Sequence, residues 1–301
     1  HSNLGSALRE LGRLDEAVAN YNKAIAINPE YTEAHSNLGA MLQDLGVPDE
    51  AVASYRKALA IKPDYVQAHN NLGNTLQELG RLDEAVASYR KALAIKPDYA
   101  EAHNNLGISL QNLECPDEAV DSFHKALAIK PDYANAHYNL GLALQNLGRL
   151  DDAVACYRKA LAIQPDYAEA HNNLGAMHYV NGRLDDAEKC FRLALELKPS
   201  DTAAIENLGS VLLSQGKSAE ALEYCRKALE LNPNSIDANL SLARSFAGLV
   251  PVWHTAMMND DERNDAYLAA LQTAITAETH VLEIGTGSGL LAMMAARSGA
   301  E

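Results

Sequence analysis

Positive charge is scarce in this chain of 301 residues: 25 Lys and Arg stand against 40 Asp and Glu, a formal net charge of −15. That balance argues against a nucleic-acid or anionic-membrane surface, which needs clustered cations. Long apolar runs are missing too; none approaches the ~18 residues that a membrane span needs. Cysteine is sparse, and Cys115, Cys156, Cys190 and Cys225 are scattered with no CxxC spacing. Thiols so far apart seldom come within bridging distance, so reduced cysteines in a cytoplasmic protein are expected. No signal peptide is visible. The chain begins at His1, inside a repeating pattern, and stops at Glu301, which reads as a fragment cut at both ends.

What is present is a ruler. Pro29, Pro63, Pro97, Pro131, Pro165, Pro199 and Pro233 are each 34 residues apart. Gly5, Gly39, Gly73, Gly107, Gly141, Gly175 and Gly209 keep the same step, as do alanine series from Ala17 to Ala221 and from Ala24 to Ala228. A 34-residue unit with this order of Gly, Ala, Ala and Pro resembles the tetratricopeptide repeat, a two-helix unit. The resemblance covers roughly residues 1–235 and implies an all-α, right-handed superhelix. In the second copy helix A is expected at 33–45, a turn at Gly46–Pro48 and helix B at 49–61. Pro63 then stops the helix, since proline lacks an N–H and clashes with the preceding turn. Residues 236–249 read as one further helix A that caps the array, so the repeats fill 1–249 as about seven units plus that helix.

Acidic pairs such as Asp83/Glu84 open helix B and basic pairs such as Arg90/Lys91 lie towards its end. That polarity suits the helix dipole and needs no partner to explain it. The glycine inside helix A does need an explanation, because it costs ~1 kcal/mol relative to alanine in each copy. Small alanines on the facing helix would allow close approach, with Leu38, Leu72, Leu106, Tyr55, Tyr89 and Phe123 filling the space between. Where the family usually has a bulky aromatic, this chain has His1, His35, His69, His103, His137 and His171. They recur once per repeat and do not converge, so local packing and hydrogen bonding are expected and no metal site.

An asparagine two residues before each glycine forms a ladder on helix A: Asn3, Asn37, Asn71, Asn105, Asn139, Asn173 and Asn207. The HxNLG pattern resembles the repeats of O-linked N-acetylglucosamine transferase, whose concave groove carries a comparable ladder. The resemblance implies capture of a protein or extended peptide, with Asn37, Asn71, Asn105, Asn139 and Asn173 as the contacts. A primary amide both donates and accepts, so it can pair with any peptide backbone. The same amides could instead bond the neighbouring repeat and only space the helices. Gln43, Gln77, Gln111 and Gln145 favour a wet groove.

After Gly248 the period ends. Residues 260–275 read as an amphipathic helix, 279–284 as a strand, 285–289 as a glycine turn and 290–298 as a helix. Strand, glycine turn and helix is how a nucleotide-type ligand meets a helix N-terminus. The pattern Glu283-x-Gly285-x-Gly287-x-Gly289 resembles the first motif of S-adenosylmethionine-dependent methyltransferases. With the preceding WHTAMMNDDERNDAY, it resembles the start of the protein arginine methyltransferases. The resemblance implies a Rossmann-like α/β cofactor domain begun at 250–301, with His254, Met257, Arg263, Glu283, Gly285 and Gly287 at S-adenosylmethionine. Arg263 would pair with the cofactor carboxylate. The family's ribose carboxylate and substrate glutamates are not in this segment, so no catalytic residue is expected here and the segment should be inactive alone. The combined expectation is the peptide-binding arm of an arginine-directed methyltransferase. The rivals are a scaffold without catalysis, a glycosyltransferase arm, and a methyltransferase of other specificity.

Overall fold

The computed structural model describes residues 4, 8 and 11–249. The described helices are α1 (Leu14–Ile27), α2 (Thr32–Asp44), α3 (Pro48–Ile61), α4 (Val66–Glu78), α5 (Leu82–Ile95), α6 (Ala100–Asn112) and α7 (Pro116–Ile129). They continue with α8 (Ala134–Asn146), α9 (Leu150–Ile163), α10 (Ala168–Val180), α11 (Leu184–Leu197), α12 (Thr202–Ser214), α13 (Ser218–Leu231) and α14 (Ile236–Leu249). No strand occurs among the described residues. Even-numbered helices are the A helices and odd-numbered ones the B helices. The expected α/β segment, with His254, Met257, Arg263, Glu283, Gly285 and Gly287, lies outside the described residues. The second repeat starts one residue early at each helix, because Thr32 follows the tyrosine cap and Pro48 sits in the first turn, where a missing N–H costs nothing.

The chain divides at Leu174/Gly175 into two compact units, and the division falls inside α10. In the first, each A helix packs on the B helix of its own repeat and each B helix on the next A helix. Ala51, Ala58 and Ala68 are fully buried there, as are their counterparts Ala85, Ala92 and Ala102. The glycine expectation needs correcting. Its close neighbour is an aromatic ring of the same repeat, not the facing alanine. A Cβ at Gly73 would lie 2.5 Å from the Tyr89 ring, and one at Gly107 2.6 Å from Phe123. The ring can sit flat against the helix only where no Cβ stands. Tyr55, Tyr89, Phe123 and Tyr157 are each fully buried by this arrangement.

The A helices α2 to α12 each end in a left-handed residue. Gly46, Gly80 and Gly148 have φ of 75°, 70° and 74°. In α6 the position is Glu114, with φ 58°. Its N–H reaches the Gln111 carbonyl at 3.1 Å and the Cys115 N–H reaches Leu110 at 2.9 Å. These two bonds close the same Schellman turn that the glycines make.

The second unit keeps the plan with different contents. Phe191 fills the site beside Gly175, but Cys225 replaces the aromatic beside Gly209. Ile205, where the first unit has histidine, is fully buried against Ala228 and Ala238. The tyrosine that precedes each earlier A helix gives way to residues that cap: Asp201 accepts from the Ala204 N–H at 3.1 Å, and the Ser235 hydroxyl accepts from Ala238 at 3.1 Å. The last described helix, Ile236–Leu249, has the bounds read from the sequence.

Candidate peptide-binding face

Asn37, Asn71, Asn105, Asn139 and Asn173 all lie on A helices and all are half-buried. Three of them donate to the A helix of the preceding repeat. Asn105 Nδ2 reaches Asn74 Oδ1 at 3.0 Å, Asn139 Nδ2 reaches Asn104 Oδ1 at 3.0 Å, and Asn173 Nδ2 reaches the Tyr138 hydroxyl at 3.1 Å. Asn104 Nδ2 in turn donates to Asn105 Oδ1 at 3.2 Å. The result is a relay of amides from Asn139 through Asn104 and Asn105 to Asn74. Spacing of helices is therefore part of what these side chains do. Asn105 spends one N–H and one lone pair in the relay and keeps one of each for a ligand backbone, whereas Asn74 Oδ1 is filled by Asn105 and Tyr89.

The glutamines stand beside the relay and are held by neighbours. Gln77 Oε1 accepts from Ser109 at 2.8 Å and lies 3.3 Å from the Tyr89 hydroxyl. Gln145 Oε1 accepts from Tyr157 at 2.7 Å, and Gln43 Oε1 lies 3.0 Å from the Thr75 hydroxyl. Tyr89 also donates to Asn74 at 2.7 Å. The ring that fits the glycine thus passes its hydroxyl through the repeat to the amide face. Burial first, then Glu78, pushes the Tyr89 phenol above its usual range. It remains a donor at any physiological pH. Where the ring is Phe123 and has no hydroxyl, the residue matching Asn74 is Ile108. The position is apolar in repeats with a tyrosine as well: Ala40 in that of Tyr55 and Leu142 in that of Tyr157.

The histidines behave as local packing groups. Nε2 of His35, His69, His103, His137 and His171 donates to the carbonyl of Pro29, Pro63, Pro97, Pro131 and Pro165, at 2.8–2.9 Å. Burial lowers the pKa of His69, His103 and His137, opposed by the proline carbonyl and reinforced by Lys91, Lys125 and Lys159. Among the described residues no three His, Cys, Asp or Glu gather as a metal site. None of the four cysteines forms a disulfide.

Away from the relay, grooves open between consecutive B helices. One of 650 Å³ lies between α3 and α5 over His69 and Leu72, and one of 400 Å³ between α5 and α7 over His103 and Leu106. Ion pairs straddle them: Arg56 to Glu84 at 2.8 Å and Arg90 to Glu118 at 2.9 Å. The acidic openings of the B helices thus do more than suit the dipole. They also hold the preceding repeat's arginine. All four partners are about half exposed, so each pair is worth at most ~1 kcal/mol.

Paired helices on a fixed 34-residue step with a polar A-helix face define a tetratricopeptide-repeat protein. The chain belongs to the family described as cilia and flagella-associated protein 70 C-terminal domain, which matches residues 64–280. Tetratricopeptide repeat families also match residues 5–46 and 32–65. Among curated proteins, an arginine N(omega)-methyltransferase of Streptomyces achromogenes subsp. streptozoticus is 54% identical over 66 residues, 22% of this chain and 18% of that protein. Mouse protein arginine N-methyltransferase 9 is 44% identical over 66 residues, 22% of this chain and 8% of that protein. The chain thus spans less than a fifth of these relatives' length. Among solved structures, YrrB, described as a tetratricopeptide protein with an unusual peptide-binding site, is similar at a TM-score of 0.51. It is 25% identical, over 61% of this chain and 95% of that one. Among the described residues no helix is long and apolar enough to cross a membrane.

Proposed function

We propose that the A-helix face binds an extended peptide and that it serves as the recruiting arm of an S-adenosylmethionine-dependent, arginine-directed protein methyltransferase. The amide relay from Asn139 to Asn74 carries the peptide half. It presents primary amides at repeat spacing, and amides pair with a peptide backbone whatever its side chains. The short stretch shared with arginine methyltransferases supports the catalytic half. On this reading residues 250–301 open the cofactor domain in a cytoplasmic protein. There His254, Met257, Glu283, Gly285 and Gly287 line S-adenosylmethionine, and Arg263 pairs with its carboxylate.

Two measurements test the reading. Fluorescence anisotropy of a labelled extended peptide reads the arm. Replacing Asn71, Asn105 and Asn139 together by alanine should weaken binding about tenfold while far-ultraviolet circular dichroism keeps its helical signal. A matching loss of helicity and binding would leave spacing as their whole role. Calorimetric titration of S-adenosylmethionine into a protein joining this chain to a complete cofactor domain reads the other half. Arg263→Ala should raise the dissociation constant at least about tenfold, and Arg297→Ala should change it little. Wild-type binding by Arg263→Ala would remove the methyltransferase assignment and leave a peptide-binding scaffold.

A further inference from the structure

In three successive repeats the tyrosine before an A helix carries a lysine over its ring. Lys62 Nζ lies 5.5 Å from the Tyr65 centroid, Lys96 Nζ 5.1 Å from Tyr99, and Lys130 Nζ 5.0 Å from Tyr133. The negative face of an aromatic ring attracts a cation at this range. One repeat on, the ring is Tyr167 and the lysine position is Gln164.

A second departure falls on the same ring. Asn70, Asn104 and Asn172 share a position that Tyr138 occupies in α8. The Tyr138 ring lies 4.8 Å from Tyr167 at an interplanar angle of 38°, and 5.9 Å from Tyr157 at 46°. Asn173 Nδ2 holds its hydroxyl at 3.1 Å, so the ring is oriented by the amide ladder. Tyr157 is fully buried, whereas Tyr138 and Tyr167 are only half-buried and present surface to solvent. Burial, then Tyr138, Glu169 and Tyr133, push the Tyr167 phenol up to about 12. The exposed Glu169 carboxylate is thus close enough to act on the ring. The two half-buried, tilted rings of Tyr138 and Tyr167, with Glu169 acting on the second, form an electronegative cradle on a chain of net charge −15, where the earlier repeats place an ammonium of their own.

We propose that the Tyr138–Tyr167 cradle takes an arginine side chain of the peptide lying on the A helices. A guanidinium fits better than an ammonium, because it is planar, stacks on rings and is more weakly hydrated. The carboxylate of Glu169 supplies the counter-charge. This inference rests on the peptide-binding reading above and adds a side-chain preference to a ladder that otherwise reads only backbone.

The test uses the 301-residue chain and three labelled Gly/Ser peptides that differ at one central residue: arginine, citrulline or alanine. Citrulline keeps the shape and removes the charge. The arginine peptide should bind at least about fivefold tighter than the citrulline and alanine peptides. Gln164→Lys supplies the internal cation that the earlier rings carry, and Tyr138→Asn restores the residue of the neighbouring repeats. Each should bring the arginine peptide to the level of the alanine peptide, and Gln164→Lys should leave the alanine peptide unchanged. Equal binding of all three peptides by the wild-type chain overturns the cradle but keeps the peptide face. So does an arginine preference that survives both substitutions. Failure of every peptide to bind overturns both.

Discussion

The Tyr89 ring lies against Gly73, sixteen residues earlier in the same repeat, so closely that a Cβ there would come within 2.5 Å of the ring. The cost of a mid-helix glycine is thereby offset by a fully buried tyrosine.

Gly73→Ala should destabilise the chain by ~2–3 kcal/mol, because the ring must move in a packed core and the ~1 kcal/mol gained in helix propensity does not cover it. Gly209→Ala should have the opposite sign. A Cβ there meets Cys225 Sγ at 3.4 Å, Tyr224 Cβ at 3.8 Å and the Ala221 carbonyl at 3.9 Å, all ordinary contacts, so up to ~1 kcal/mol of propensity is gained. Urea midpoints of the two variants decide this. A loss of similar size in both would show that the ring is not the constraint.

Glu114→Gly should stabilise the first unit by ~0.5–1 kcal/mol, since φ of 58° strains every residue with a Cβ. The Schellman bonds use only backbone and survive the change. Gly80→Ala, at φ 70°, should cost about as much. Thermal unfolding monitored at 222 nm is the measurement, by the usual helix signal. No gain from Glu114→Gly would mean that its side chain holds the turn.

Glu188 accepts from Lys217 and from Arg192, each at 2.8 Å, with only 15% of its side chain exposed. The Lys217 bond and then the Arg192 bond hold its pKa at about 2 against the cost of burial. A depressed carboxyl stabilises above its ordinary 4.5, and that stability is lost as pH falls towards about 2. Glu188→Gln should therefore cost ~1–2 kcal/mol at neutral pH and flatten the acid limb of the stability curve in that window. An unchanged acid limb would place the acid sensitivity elsewhere.

The histidines act at milder acidity. His69, His103 and His137 have folded-state pKa values below the ordinary 6.5, so their stabilisation is full above 6.5 and declines as pH falls below it. The urea midpoint should fall between about pH 7 and pH 5, and His69→Gln together with His137→Gln should reduce that slope. The lysines 91, 125 and 159 that face these rings keep their charge throughout and do not contribute to it. A slope that persists in the double variant would exclude these two rings as its source.

Glycine and proline punctuation made the helices legible, and Ile236–Leu249 was readable to the residue. What touched the internal glycines was not, because Tyr89 reaches Gly73 from the second helix and neither residue signals the other along the chain. The amide relay hid for a related reason. The series repeats every 34 residues, but Asn105 bonds Asn74, 31 residues back, and Asn139 bonds Asn104, 35 back. The contacts join three different positions of the repeat, so reading the ladder series alone suggests parallel, separate rungs. The arginines that bridge 28 residues to the next B helix were read only as helix-end charges, since no local pattern marks that step. Residues 250–301 were read by resemblance alone and lie outside the described residues.

The Gly73–Tyr89 fit has one more consequence. Lock and key are encoded within a single 34-residue unit, as they are for Gly107 with Phe123 and Gly141 with Tyr157. A unit copied, deleted or moved along the gene therefore carries its own core with it. The amide face behaves otherwise, for the bonds that Asn105, Asn139 and Asn173 donate each need the right neighbour. Shuffling of units would leave the framework intact and rewrite the recognition surface, so the length and the selectivity of such an arm can evolve separately.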